Sequence, residues 1–321
     1  MLGIAVLLAA VVASLTVGSR HIPPAEALDV LLHPSTSEAA LIVRELRVPR
    51  TLVGLEVGAA LALAGVIMQA LTRNRLAEPR VLGISAGAST GVVIAIALFG
   101  VVSLSGWIWF GLAGAALAGM LVFVVAARTR DGSGPVSLAL SGAAIDAGLG
   151  ALIYGILSID AATFEQYRFW VVGSIAGRTP AMAAQILPFL LVGAVLAIAG
   201  ARGLDALALG DDVARGLGHR IHRVRLVAAI AAIVLTGAAV ALAGPIAFVG
   251  LAVPHAARAL VGTGHRWVLP LSALLGAALV LLADVLGRVL TSGEVPAGVV
   301  TALVGAPVLL WLVRRARVVA A

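Results

Sequence analysis

The chain has 321 residues, of which 61% are hydrophobic and 12% are charged, and every basic residue behind its net charge of +7 is arginine. Soluble domains are closer to half apolar and a quarter charged, so this composition excludes an ordinary soluble domain and indicates a polytopic membrane protein. The absence of cysteine excludes disulfides, thiolate metal sites and cysteine nucleophiles. The arginines lie in short clusters between apolar segments, which is typical of topology signals and argues against nucleic-acid binding.

Apolar runs recur along the whole chain, and about 20 apolar residues suffice to cross a bilayer as a helix. In chain order the runs lie near residues 2–18, 51–71, 82–100, 107–127, 137–157, 181–201, 226–243, 246–262, 268–290 and 297–313. The first has no basic segment before it and further runs follow, so we read it as a retained transmembrane helix and not as a signal peptide. The pattern predicts an all-α membrane protein of about ten transmembrane helices in one bundle, a single domain over residues 1–321.

Arginine clusters between the runs predict the orientation. With ten spans they all fall on one side, at Arg73/Arg75/Arg80, Arg128/Arg130, the segment Arg202–Arg225, Arg266 and Arg314/Arg315/Arg317. The positive-inside rule makes that side the cytoplasm and places both termini there. Glycines recur within the runs, as at Gly58, Gly65, Gly148 and Gly150, and such small residues let membrane helices approach closely.

The stretch 244–258 is apolar enough for membrane depth, yet it contains two prolines and two glycines that weaken a regular helix. Irregular backbone in a membrane needs partners from protein or from a water-filled cavity, so we expect this stretch to be buried or to line a path. Pro245 follows a turn and is expected to begin the eighth helix, where proline is tolerated. Gly250 and Pro254 would then lie inside a short, kinked helix.

The longest predicted cytoplasmic connection is about 202–225. Asp211 can cap a short helix there, and Gly216 to Gly218 can end it. The connection carries the apolar residues Leu207, Leu209, Val213 and Leu217. Exposed apolar side chains on a short helix suit the groove of a partner protein, and the alternative is a loop folded onto its own bundle.

Three arginines on the opposite side, Arg47, Arg50 and Arg288, depart from the positive-inside trend. Arginine pairs well with carboxylates, so these residues could bind an anionic ligand or an acidic partner protein. The alternative is pairing within the chain, with Glu45, Glu56, Asp284 or Glu294.

Two other classes of function have candidate residues. Asp146 lies inside an apolar run, where acidic groups are costly and often functional, so a proton-coupled secondary transporter is one alternative; a helix–helix hydrogen bond explains it equally well. Gly83–Gly87 matches the Gly-x-Ser-x-Gly motif, which would make Ser85 with His255 an intramembrane serine hydrolase. No strand precedes that motif, so a small-residue helix start is the simpler interpretation.

Metal binding and direct ATP binding are both disfavoured. His219 and His222 have the spacing of metal ligands, but the adjacent arginines create a field that opposes a cation. A P-loop requires a lysine, and the chain has none, so ATP must bind on another subunit if it drives this protein.

Several motifs together resemble one family, the FecCD-type permeases of ATP-binding-cassette importers for iron–siderophores, cobalamin and haem. The resemblance runs from about residue 44 to the C-terminus. It rests on Arg47–Arg50, Gly58–Gly65 with Gln69, Arg73–Pro79, Leu82–Ala88, Trp170–Ser174, Gly244–Arg258, Gly262–Arg266, Glu294–Gly298 and Gly305–Pro307. The chain departs at Arg75, where the family usually has proline.

The resemblance implies a permease in the bacterial cytoplasmic (inner) membrane that pairs with a second copy or a close paralogue around a central path. Two ATPase subunits would dock from the cytoplasm, and an extracytoplasmic binding protein would deliver the ligand. The chain would do no chemistry and bind no cofactor, since ATP and magnesium belong to the ATPase. Its other partner would be membrane lipid, with no role for nucleic acid. Ferric siderophore is the expected cargo, with haem or cobalamin as alternatives.

The resemblance also implies roles for individual residues. Arg47, Arg50 and Arg288 would dock the binding protein, and Asn74 and Leu76 would form the cytoplasmic gate. Ser141 and Asp146 become candidates for the translocation path, because the fifth helix lines it in this family. The coupling to the ATPase would be made by Leu207, Leu209, Gly210, Asp211, Val213, Ala214, Leu217 and Gly218.

Overall fold

The computed structural model describes residues 1–33, 35–129, 134–216, 218, 220–291 and 293–319, with the backbone alone for 81, 82 and 311–319. These residues form α-helices and no strand. The helices are α1 (Leu2–Thr16), α2 (Pro24–Leu32), α3 (Glu38–Leu41), α4 (Val48–Leu71), α5 (Ile84–Phe99), α6 (Leu104–Ala127), α7 (Pro135–Ile159), α8 (Ala161–Val171), α9 (Pro180–Ala199), α10 (Ala201–Ala208), α11 (Asp211–Gly216), α12 (Ile221–Ala243), α13 (Val249–Val261), α14 (His265–Leu290) and α15 (Ala297–Val319). A π-helical turn, Ile42–Arg47, joins α3 to α4, and a 3₁₀ turn, Pro79–Leu82, precedes α5.

Each of the ten predicted apolar runs overlaps one helix of the described chain. Six helical segments are long and apolar enough to cross a membrane, namely Glu38–Leu71, Leu104–Ala127, Pro135–Ile159, Pro180–Ala199, Ile221–Ala243 and His265–Leu290. Four further apolar helices are shorter, namely Leu2–Thr16, Ile84–Phe99, Val249–Val261 and Ala297–Leu310. The prediction of an all-α membrane protein is therefore confirmed, while the second run starts earlier than expected, at Glu38.

Two helices form the centre of the bundle. The most apolar parts of α4 and α12 are 78% and 72% buried, whereas those of α7 and α9 are only 28% buried. The inner helices pack through buried alanine, valine and leucine side chains. The outer helices leave large apolar side chains exposed, as expected of surfaces that meet lipid or another subunit.

Glycine-to-glycine contacts bring α4 close to two neighbours. A Cβ atom on Gly58 would overlap the backbone of Gly276 in α14, and one on Gly65 would overlap the backbone of Gly250 in α13. Both pairs allow the helix backbones to touch, which is how small residues stabilise membrane bundles. By contrast, Gly148 on α7 faces open space within this chain.

Contacts between distant segments define two ends of the bundle. One end holds Arg73, α10, α11 and the starts of α12 and α14, and we call it the arginine-rich end. The opposite end holds the end of α1, the start of α4 and the end of α14. Short helices that the sequence did not predict, α2, α3 and α8, lie in the two longest connections of that opposite end.

Candidate functional site

A cavity of about 770 Å³ lies inside the described part of the bundle. Its polar and charged wall residues include Glu78, Arg80, Ser85, Ser89, Asp146, Tyr154, Tyr167, Arg168 and Thr236. The stretch Pro245–Phe248 forms part of the wall with its non-helical backbone. The 244–258 stretch, which we expected to be buried or to line a path, contributes its first residues to the wall of this cavity.

The start of the eighth apolar helix differs from the prediction. Residues 244–248 are not helical, and α13 begins at Val249 instead of Pro245. Gly244 has φ of +75° and lies against the carbonyl oxygen of Trp170, where any Cβ would overlap that oxygen. Phe248 also has a positive φ, of +68°, which is strained for a residue with a bulky side chain. The chain thus enters α13 through an irregular segment, and Gly250 and Pro254 both lie inside this helix as expected.

Polar contacts attach the beginning of α13 to α4. The Gln69 amide nitrogen donates to the carbonyl oxygen of Gly250 at 3.2 Å, and its amide oxygen accepts from Arg258 at 2.5 Å. Gln69 is only 4% exposed, so both contacts are shielded from solvent and strong. Helix α13 is therefore attached to the central helix of the bundle both at its start and near its end.

Glu78 binds the strained residue that directly precedes α13, Phe248. Its carboxylate accepts the backbone N–H of Phe248 at 3.0 Å. Burial raises the pKa of Glu78 above the usual range, and the Phe248 N–H and nearby Arg80 counteract part of that rise. Glu78 lies in the connection between α4 and α5, so this hydrogen bond joins the predicted gate segment to the cavity wall. The sequence singled out the motif around Glu78 but assigned this side chain no role.

A second cavity of about 400 Å³ adjoins the first on the side of Leu76. Glu78, Arg80, Asp146 and Phe248 line both cavities, so they lie at the boundary between the two. The boundary therefore carries two carboxyl groups and one guanidinium beside a phenylalanine. Asp146, a predicted residue of the translocation path, lines both cavities. Ser141, by contrast, is 7% exposed and lines neither cavity within the described residues, so its role as a path residue stays a prediction.

The predicted gate residues Asn74 and Leu76 are both exposed at the arginine-rich end. The Asn74 side-chain oxygen accepts the backbone N–H of Leu76 at 2.9 Å, which closes a tight turn. Next to them, Arg73 donates to the carbonyl oxygen of Leu207 at 3.0 Å and pairs with the carboxylate of Asp211. The predicted gate and coupling segments are therefore in direct contact, which sequence spacing could not show.

The predicted coupling segment forms α10 and α11. Some of its side chains are buried against the bundle, and others are exposed. Leu207 and Ala214 are almost fully buried, whereas Leu209 and Val213 are 62% and 51% exposed. Gly210 has φ of +104° and makes the turn between the two helices. Gly218 is exposed with a positive φ, and Leu217 lies outside the described residues, as does His219. Two of the four apolar residues named from sequence thus present a surface that a partner could contact.

Charged groups anchor this segment to the bundle. The Asp211 carboxylate accepts from the buried Arg225 of α12 at 2.9 Å in addition to its contact with Arg73. The Asp205 carboxylate accepts the backbone N–H of His265 at 2.9 Å and lies 2.6 Å from the His265 Nδ1. Asp205 therefore caps the start of α14 from a different helix. These contacts attach the segment to the end of α4 and to the starts of α12 and α14. A displacement of the segment would therefore be transmitted to three helices.

The three arginines predicted to dock a binding protein have partners within the chain. Arg47 is 4% exposed and donates to the carbonyl oxygens of Leu15, at 2.7 Å, and Arg20. Arg50 and Arg288 both pair with Asp284, which is completely buried, at 2.8 and 2.9 Å. These contacts fit the alternative of pairing within the chain. Binding-protein docking stays a prediction for all three.

Arg50 is the one of these three that also reaches a more exposed group. It pairs with Glu294 at 2.9 Å, and the Glu294 side chain is 44% exposed. Any docking role would therefore involve the Arg50–Glu294 pair more readily than Arg47 or Arg288, which are enclosed by backbone carbonyl oxygens and Asp284.

The residues proposed for hydrolysis do not form a catalytic pair. Ser85 lines the large cavity, but no hydrogen bond joins it to His255 in the described part of the chain. The His255 Nδ1 instead lies 3.2 Å from the carbonyl oxygen of Leu251, one turn earlier in α13. In the same described residues, no group of three histidine or acidic side chains could hold a metal ion.

The fold and the site together define a class. An apolar helical bundle contains a cavity with polar and charged residues in its wall, and helices at the arginine-rich end carry exposed apolar side chains. These are features of a membrane permease. Comparison with known proteins narrows that class.

The chain belongs to the FecCD transport family, whose sequence model matches residues 6–315. It is 43% identical over 310 residues to the ferric enterobactin transport system permease protein FepD of Escherichia coli (strain K12), covering 96% of this chain and 92% of that protein. It is 39% identical over 280 residues to the cobalamin import system permease protein BtuC of Halobacterium salinarum, covering 86% and 74%. A solved structure described as a metal-chelate type ABC transporter in an inward-facing conformation has a TM-score of 0.86 at 29% identity, covering 98% and 97% of the two chains.

These matches make the chain a multi-pass membrane permease of an ATP-binding-cassette importer, and a transport subunit rather than an enzyme. The proton-coupled transporter and the intramembrane hydrolase are therefore set aside. Asp146 and Ser85 are instead residues lining the cavity of a permease.

Proposed function

We propose that this permease imports a ferric siderophore. The observation that carries the proposal is the 43% identity to a permease named for ferric enterobactin transport. The cavity agrees with it, because about 770 Å³ lined by hydroxyls, carboxyls and guanidinium groups can accommodate part of a large polar chelate. Cobalamin is the second candidate, on the basis of the relative named for its import.

The proposed assembly contains two permease chains, two ATPase subunits and an extracytoplasmic binding protein. Helix α7 supports the pairing of two permeases, because it borders the cavity and leaves Gly148, Gly150 and Gly155 facing open space. Small residues in such a position allow a second helix to approach closely. The exposed apolar side chains of Leu209 and Val213 support docking of the ATPase at α10 and α11.

The proposed topology has ten membrane spans with both termini in the cytoplasm, in the cytoplasmic membrane of a bacterium. Contacts among Arg73, Arg225 and the coupling segment gather several of the arginine clusters at one end of the bundle. The positive-inside rule then assigns that end to the cytoplasm. ATP and magnesium bind in the ATPase, and the permease itself binds no cofactor.

In the proposed mechanism the permease contributes a difference in stability between inward-open and outward-open states, and ATP binding shifts the balance. Closure of the ATPase pair moves α10 and α11. That motion reaches the Asn74–Leu76 turn through the contacts of Arg73 with Leu207 and Asp211. It then reaches the cavity wall through the hydrogen bond from Phe248 to Glu78. The boundary between the two cavities opens or closes in response.

Reconstitution tests this proposal. The permease, an ATPase and a binding protein encoded beside it would be placed in liposomes, and uptake of radiolabelled ferric siderophore, cobalamin and haem compared. We expect uptake of the siderophore that requires ATP and persists when the proton gradient is collapsed. Transport of cobalamin alone would reassign the cargo within the family. Loss of uptake on collapse of the proton gradient, at constant ATP, would contradict the ATP-driven mechanism.

A further inference from the structure

A third cavity lies outside the translocation site, at the arginine-rich end between α9, α10 and α12. Its volume is about 340 Å³, and its walls include Leu196, Val224 and Val227. Helix α10 closes one side, where Gly203 lies directly against the side chain of Val224. The walls are thus mainly apolar, and they are made by the same helix that begins the coupling segment.

Two arginines, Arg202 and Arg223, line the same cavity. Both are exposed, and neither guanidinium group has a hydrogen bond or an ion pair with any residue that the structure describes. Their neighbour Arg225 differs, because it is buried and paired with Asp211. Two guanidinium groups without a counter-charge beside an apolar cavity can hold an anionic group that carries a hydrocarbon chain.

The surroundings indicate where that ligand comes from. Helix α9 contributes Leu196 and Gly200 to the cavity wall, while its other face carries the exposed apolar side chains Leu191, Val195 and Ile198. In a membrane this face meets acyl chains, while the two arginines lie at the end of the helix, where head groups are found. Basic pockets between helices at a membrane surface are known to select anionic lipids.

We propose that Arg202, Arg223 and the cavity between α9, α10 and α12 form a binding site for an anionic phospholipid. The phosphate contacts the two guanidinium groups, and one acyl chain lies in the apolar cavity and along α9. Because α10 forms one wall of the site, a bound lipid restricts the movement of the coupling segment. The lipid composition of the bilayer would then affect how this segment moves.

The experiment measures lipid binding to the purified full-length chain in neutral detergent, by native mass spectrometry and by titration. The probes are phosphatidylglycerol, phosphatidylcholine with the same acyl chains, and inorganic phosphate. An arginine near a membrane surface contributes about fivefold to the affinity for an anionic lipid, so Arg202→Gln with Arg223→Gln is expected to weaken phosphatidylglycerol binding roughly 30-fold. Binding of phosphatidylcholine is expected to be weak and unchanged.

Two further variants separate this site from general effects of charge and folding. Arg128→Gln with Arg266→Gln removes two exposed arginines that do not line the cavity, and phosphatidylglycerol binding is expected to stay within about twofold of the wild type. Ala199→Phe fills the cavity without changing charge and is expected to weaken phosphatidylglycerol binding while the chain stays folded.

Three results would overturn the proposal. One is equal loss of phosphatidylglycerol binding in both arginine pairs, which would indicate a general charge effect. Another is tight binding of inorganic phosphate alone, which would indicate a site for soluble anions. The third is unchanged lipid binding with loss of ATPase binding in the Arg202/Arg223 variant, which would assign these arginines to the protein partner.

Discussion

Replacing Glu78 with alanine removes the acceptor for the Phe248 N–H at the start of α13. A hydrogen bond to a charged acceptor contributes about 1.5–3 kcal/mol, and Phe248 has a positive φ that itself costs roughly 1–2 kcal/mol. Without the carboxylate, the Phe248 N–H loses this acceptor and less of the strain is offset, so the segment 244–248 can relax. A loss of about 1.5–3 kcal/mol corresponds to a shift of roughly 10- to 150-fold in a local equilibrium.

The assay is the number of ATP molecules hydrolysed per ligand imported by the reconstituted importer. We expect Glu78→Ala to increase this ratio at least about fivefold while ATPase activity persists, because the gate segment no longer controls the cavity wall. Glu78→Gln keeps an oxygen that can accept the same N–H and is expected to restore most of the coupling. An unchanged ratio in Glu78→Ala would refute the reasoning, and equal failure of both variants would point to the charge instead of the hydrogen bond.

The pH dependence of stability gives an independent test of Glu78. Burial raises its folded-state pKa above the unfolded value of about 4.3, so the folded chain holds this proton more tightly than the unfolded chain. Its contribution to stability is therefore present at low pH and is lost as pH rises through the folded-state pKa. Glu78→Gln cannot lose a proton, so its melting temperature relative to the wild type should rise from about pH 4 to neutral pH. A constant difference across that range would contradict the raised pKa.

The remaining predictions concern the exposed coupling surface, two ion pairs at opposite ends of the bundle and the packing of α4. Leu209→Asp should weaken ATPase binding at least about tenfold in a pull-down with no change in melting temperature, because the side chain is exposed. Asp211→Asn should lower the free energy of unfolding by about 2 kcal/mol, since its partly exposed carboxylate neutralises a buried arginine. Arg50→Gln should lower the free energy of unfolding by about 1.5–3 kcal/mol, because Asp284 loses one charged hydrogen-bond partner and keeps Arg288. Gly65→Leu should prevent folding, because its side chain would overlap the backbone of α13.

Matched controls accompany these variants, each read by thermal unfolding. Asp212→Asn and Arg20→Gln alter exposed ion pairs, which contribute little in water, and should be close to neutral. Gly148→Ala adds a methyl group where the chain leaves open space and should leave the isolated permease folded. Equal effects in a control and its test variant would show that the buried contacts named above contribute little.

The helical bundle could be anticipated from local features of the chain, and the permease class from its resemblance to one family. Runs of apolar residues predict membrane helices because the bilayer demands a fixed length of apolar helix from each segment by itself. The contrast between apolar side chains and a polar connection predicted exposure for Leu207 as well as for Leu209 and Val213, and Leu207 is buried while the other two are exposed. The match to the FecCD transport family over residues 6–315 confirms the class that those features indicated.

The arginines that the sequence predicted to dock a binding protein show the limit of inference from local sequence. Arg50 and Asp284 are far apart in sequence, and charge pattern alone left two choices, a partner protein or a carboxylate of the same chain. The start of α13 is a second example, since Pro245 suits a helix start in isolation. Residues 244–248 are instead non-helical, with Gly244 against the Trp170 carbonyl oxygen and the Phe248 N–H donating to Glu78.

By itself the sequence determined that the chain is a helical membrane permease and where most of its membrane helices lie. Hydrophobic length, proline, glycine and arginine clusters act over one helix or one turn, so they can be read in order along the chain. Only the tertiary structure decided that Arg73 joins the gate segment to the coupling segment and that Glu78 holds the strained entry to α13. Those contacts join residues more than a hundred positions apart, and their energies exist only once the bundle has brought the side chains together.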